Sequence, residues 1–98
     1  MLPTLAVGES VAFATPTGAL ARGDVVAFHW PGGAPDRTYV KRVVGVAGDR
    51  IELNGTELFV NGAAVARCRV GSWRFQLADG SPHEGEIWLE ELDGVRWL

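Results

Sequence analysis

Thirteen glycines and five prolines divide the apolar residues of this 98-residue chain into runs of about four to eight. An amphipathic helix needs an uninterrupted periodic stretch of about 10–12 residues, so the pieces are strands. Runs rich in Val, Phe and Trp predict strands over Ser10–Ala14, Asp24–Trp30, Tyr39–Val46, Arg50–Leu53, Glu57–Val60, Ala63–Val70, Trp73–Leu77, Glu86–Leu92 and Val95–Leu98. The expected fold class is all-β, mainly antiparallel.

Two Asn-Gly pairs, Asn54-Gly55 and Asn61-Gly62, stand between apolar runs, where the dipeptide tolerates the positive φ of tight hairpin turns. A two-residue loop at Asn54-Gly55 would set Ile51 opposite Leu58 on one face and Glu52 opposite Glu57 on the other. Trp73, Phe75 and Leu77 alternate with Arg74 and Gln76, the pattern of a sheet with one wet face. By the same alternation Cys68 is expected to point inward as a small apolar group. Residues 31–36, Pro-Gly-Gly-Ala-Pro-Asp, read as a mobile loop. Gly45 and Gly48 bracket a turn that Asp49 can tie through neighbouring amides.

The length allows one domain. Net charge is −3 and no segment clusters cations, so the footprint of a nucleic-acid binder is missing. Asp79, Glu84, Glu86, Glu90, Glu91 and Asp93 face only Arg96 within residues 79–98, the composition of a solvated acidic face. The lone Cys68 excludes an internal disulfide, and no run reaches the ~18–20 apolar residues of a membrane span. His29 and His83 lack any metal-ligand spacing, so neither a metal nor another cofactor is expected. Ser10, Ser72 and Ser81 can be drawn into a triad with either His, but none stands in a nucleophile-elbow signature.

Lys41 is the only lysine, placed inside the apolar run Tyr39-Val-Lys-Arg-Val-Val44. Tyr39, Lys41 and Val43 share one face, and Val40, Arg42 and Val44 the other. An ammonium on a sheltered face loses its charge more readily, and a neutral amine is a competent general base. Equally, the same side chain on a sheet edge snorkels to water.

Four segments in order resemble the signal peptidase I family, S26-type Ser/Lys endopeptidases that remove signal peptides from exported proteins. Met1-Leu-Pro-Thr-Leu5 resembles the nucleophile box, in which a serine directly precedes the methionine. Arg22-Gly-Asp-Val-Val-Ala-Phe28, running on to Pro31, resembles the strand box between the catalytic segments. Tyr39-Val-Lys-Arg-Val-Val-Gly-Val-Ala-Gly-Asp-Arg-Ile51 resembles the lysine box, departing at Ala47, where proline is usual. Leu58-Phe-Val-Asn-Gly62 resembles the hairpin that follows.

The resemblance implies a β-rich catalytic fold, shared with autocleaving repressors, of which this chain holds part. Residues 1–62 would carry the catalytic boxes and 63–98 a β-rich insertion. Lys41 aligns with the general base that takes the serine proton. Met1, Leu5, Tyr39 and Val40 align with positions lining shallow pockets for small side chains at the first and third residues before the cut. Arg42 and Asp49 are assigned to structure. The implied partners are preprotein signal peptides, bound as an added strand, and the membrane surface, at the outer face of a bacterial cytoplasmic membrane. No serine precedes Met1, and the closing Gly-Asp-Asn-Arg box is absent. The expectation is therefore an internal piece of a longer enzyme, inactive by itself. The alternative is a peptidase-like module that holds extended peptides without cutting them.

Overall fold

The computed structural model describes residues 1, 3–6 and 8–98, and among these it contains eight strands and no helix. β1 (Val25–His29) and β2 (Thr38–Arg42) form a two-stranded antiparallel ribbon. β3 (Ile51–Asn54), β4 (Glu57–Val60) and β5 (Ala63–Ala64) form a meander, and β6 (Ala66–Gln76), β7 (Pro82–Leu92) and β8 (Val95–Trp97) a second one. All pairings are antiparallel, as the turn-rich sequence predicts.

Turn chemistry sets the registers, and one differs from expectation. Asn54 pairs with Glu57, so the loop is Gly55-Thr56, and Ile51 faces Val60 while Glu52 faces Phe59. Gly55 has φ 60 at the first loop position, the place a type II′ turn reserves for glycine. The shift removes the Glu52–Glu57 repulsion, and Glu52 pairs with Arg50 instead. Asn61 and Gly62 take φ 53 and 82 between the paired Val60 and Ala63, as type I′ geometry demands. Asp93-Gly94, with φ 50 and 80, turns β7 into β8 in the same way.

Other differences have equally local causes. Ser10–Ala14 is exposed and forms no strand, because no described segment pairs with it. β6 runs through Gly71-Ser72, where the sequence suggests a break, because a bulge between Arg69 and Gly71 absorbs Val70. Cys68 is exposed rather than inward, since β6 is the outer strand of its sheet and no described layer covers that face. The acidic residues are laced to arginines across strands: Arg74 to Glu84 at 2.9 Å, Arg69 to Glu86 at 2.8 Å, and Arg96 to Glu91. Exposed pairs of this kind contribute about 0.2–1 kcal/mol each.

The core is small: Val60, Val65, Leu92 and Trp97, with Val44, Leu58 and Val95 packed against it. Trp88 is half-buried under the Arg67 guanidinium, 4.3 Å from its ring, whereas Trp30 and Trp73 are exposed. The accessible surface is 7312 Å², against about 5400 Å² for a compact monomer of this mass. The ribbon therefore depends on polar ties to the rest. Arg22, just before β1, forks onto Asp49 at 2.7 and 3.1 Å and reaches Asp93 at 2.6 Å. Asp49 also accepts from the Val46 amide at 2.9 Å and from Asn61 Nδ2 at 3.0 Å. One carboxylate thus joins the ribbon, the β3–β4 meander and, through Arg22, the β7–β8 turn. Gly23, at φ 93, lets that segment press on β8: a Cβ there would meet Val95 Cγ1 at 2.6 Å.

The Arg22 hydrogen bond, followed by those from Val46 and Asn61, lowers the Asp49 carboxyl from 3.8 to about 2. The unfolded chain binds this proton at higher pH than the folded one, so the contribution of Asp49 is complete above about pH 4 and is lost as pH falls towards 2. Asp49→Asn is expected to lower stability at neutral pH and to flatten the acid limb of the stability curve, read by chemical denaturation between pH 2 and 6. An unchanged acid limb would remove Asp49 from this role.

Candidate active site along the second strand

The ribbon's register decides what each predicted residue can reach. Lys41 lies opposite Val26 and Tyr39 opposite Phe28, so these four share one face. The Phe28 and Tyr39 rings stack at 6.1 Å and 28°. Val40, opposite Ala27, and Arg42, opposite Val25, occupy the other face. β2 has a partner only on the β1 side, and its outer edge is unpaired among the described residues. Val43 donates its amide to the Asp24 carbonyl at 2.8 Å, towards β1. Alternation along an antiparallel ladder then turns the N–H and C=O of Val40 outwards, available to a further strand.

Lys41 is exposed, not sheltered among apolar neighbours as a desolvated base would be. The physical reason is the thinness of the ribbon: Val26 lies beside the lysine, and no described layer covers that face. Its lack of a polar partner among the described residues is nonetheless distinctive. Among the described residues, all eight arginines have partners, namely carboxylates, carbonyls or the rings of Tyr39 and Trp88, whereas Lys41 has no ion pair or side-chain hydrogen bond.

The opening segment is tied to the same strand by Arg42, which donates to Thr4 Oγ1 at 3.1 Å and to the Gly23 carbonyl at 2.7 Å. Met1 and Leu5, flanking Thr4, close a turn through the Leu5 amide and Met1 carbonyl at 2.9 Å; Leu2 lies outside the described residues. Tyr39 and Val40 are both half-buried but point to opposite faces, so only Tyr39 shares a face with Lys41. Arg42 is therefore the residue that joins the two predicted boxes, and it does so from the face opposite the lysine.

Residues 31–37 are more ordered than a loose connection. The Gly33 amide donates to Trp30 and the Arg37 amide to Ala34, each at 3.0 Å. Tyr39 lies across Gly33, where an added Cβ would meet the phenol oxygen at 2.9 Å. The Arg37 guanidinium also lies against this ring, its carbon 5.8 Å from the Tyr39 ring centre. Arg37 is not among the residues the family resemblance marks, although its spacing of two from Tyr39 and four from Lys41 is visible in the sequence.

The family model for signal peptidase, peptidase S26, matches residues 1–86. This chain belongs to the signal peptidase family. It is 46% identical over 65 residues to Signal peptidase IB of Staphylococcus aureus strain Mu50, covering 63% of this chain and 32% of that protein. It is 34% identical over 97 residues to Signal peptidase I of Bacillus caldolyticus, covering 96% of this chain and 51% of that protein. The chain thus spans between a third and a half of the length of these peptidases. No solved structure gives a significant match.

Gly33 gives a direct test of how the Tyr39 ring is held. Gly33→Ala is expected to push the phenol aside while leaving the β1–β2 register intact, because the obstructing atom is the tip of a side chain. Tyr39 is the only tyrosine, so its ring resonances report the shift. Unmoved Tyr39 resonances would contradict this packing.

Proposed function

We propose that these residues carry the lysine-bearing part of a Ser/Lys endopeptidase that removes signal peptides from exported preproteins at the outer face of a bacterial cytoplasmic membrane. Lys41 takes the proton from a serine standing directly before Met1 and later returns one to the leaving amine. The substrate lies extended along the open edge of β2, bonded to the outward backbone of Val40, with Tyr39, Met1 and Leu5 lining the pockets for small side chains. Family membership supports the reaction class. The observation that carries the site is the chain's single lysine, without an ion pair or side-chain hydrogen bond among the described residues, standing beside a strand edge that is unpaired among them.

Exposure of Lys41 favours a second reading, a module that binds extended peptides without cutting them. A lysine base works from sheltered surroundings, and the described residues leave Lys41 exposed. Under the first reading the docked peptide and the remainder of the peptidase supply that cover. The 98 residues alone are expected to be inactive under both.

The two are separated by extending the chain upstream through a serine and downstream through the closing box, then assaying an Ala-x-Ala peptide. Cleavage is expected, and Lys41→Ala should reduce kcat/KM by about a hundredfold to ten-thousandfold. Lys41 is exposed, so this variant should keep its far-UV circular dichroism. Full activity in Lys41→Ala would strip the residue of its role, and binding without cleavage would establish the second reading.

A further inference from the structure

We propose that Arg37 forms an outer subsite of the peptide-binding edge, selecting an acceptor-bearing side chain, best a carboxylate, at the fifth residue before the cut. This rests on the reading that the peptide aligns with β2 and is cut beside Lys41. Arg37, Tyr39 and Lys41 follow at intervals of two, which in extended chain puts successive side chains on one face about 6.6 Å apart. The proximity of the Arg37 guanidinium to the Tyr39 ring, 5.8 Å, keeps it on that face although it stands just ahead of β2. A peptide running alongside with its first residue before the cut at Lys41 places its third at Tyr39. Its fifth then falls at Arg37.

The chemistry of that position comes from what Arg37 leaves unused. Arg22, Arg50, Arg69, Arg74 and Arg96 are bridged to carboxylates, and Arg42 and Arg67 donate to the carbonyls of Gly23 and Thr56. Among the described residues, the Arg37 side chain has neither kind of partner, although Asp36 is its neighbour in sequence. Its planar fork carries five N–H donors, and lying against a ring leaves their edges free to meet a carboxylate. The platform is itself held in place: Tyr39 stacks on Phe28 and lies across Gly33. A cation at the same substrate position would meet the Arg37 guanidinium, so the subsite also discriminates by repulsion.

The test uses the cleavage-competent full-length protein and matched Ala-x-Ala peptides carrying Glu, Gln or Lys at the fifth residue before the cut. At low salt, kcat/KM is expected to favour Glu over Lys by about fivefold, with Gln between, as for an exposed charge pair. Arg37→Glu should invert the order and Arg37→Gln should flatten it, while 0.5 M NaCl compresses the differences. Equal kcat/KM for the three peptides, or an unaltered order in Arg37→Glu, would overturn the subsite. Binding of the same peptides to Lys41→Ala separates the two levels of the argument. A Glu-over-Lys preference in Kd that depends on Arg37 upholds the subsite even if cleavage fails or survives loss of the lysine, and its absence overturns the subsite even if Lys41 proves catalytic.

Discussion

The architecture turns on the Arg22–Asp49 pair. A two-stranded ribbon is marginal by itself, and among the described residues the segment that carries the candidate site adds only Val44, beyond β2, to the apolar core. Its attachment is therefore largely polar. The Arg22 side chain is 18% exposed and that of Asp49 9%, so the fork is sheltered enough to hold geometry that a surface pair would not. Because Asp49 also ties the Val46 amide and Asn61, and Arg22 also reaches Asp93, three separate turns are referred to one ion pair. With those turns placed, β2 presents an edge that is unpaired among the described residues.

That economy of cover explains the state of Lys41. A thin ribbon leaves one face of β2 to water, so the described residues do not supply the low-dielectric surroundings of a lysine base. On the proposed reading, an extended peptide laid along β2 brings its own apolar side chains and backbone to that face. Removal of water then accompanies binding, and the base is uncovered between substrates. Phe28, Tyr39 and Arg37 form the fixed part of the surface, held by stacking and by the bare backbone of Gly33.

Much of this is legible in the sequence because it is local. Gly and Pro punctuation gives strands, Asn61-Gly62 gives a type I′ turn, and the turn Asp49 closes is visible from Gly45 and Gly48. The order of the four boxes points to the family. What escapes is what depends on pairing across the chain. Residues Ser10–Ala14 have strand-like composition but no partner among the described residues, and the loop beginning at Gly55 rather than Asn54 shifts a register by one position in each strand. The inward Cys68 fails for the same reason: alternation tells that two faces differ, while burial needs a second layer to say which. Lys41 joins this group, since its surroundings are tertiary. Arg37 was within reach, two steps along the same face as Tyr39.

The central claim is that an extended peptide adds to the outer edge of β2 beside Lys41. Amide hydrogen exchange of the protein with and without an Ala-x-Ala peptide measures this most directly. The account predicts marked slowing at Val40, whose N–H faces away from β1, with little change along the outer edge of β1. Slowing along β1 with Val40 unaffected would place the peptide elsewhere and contradict it.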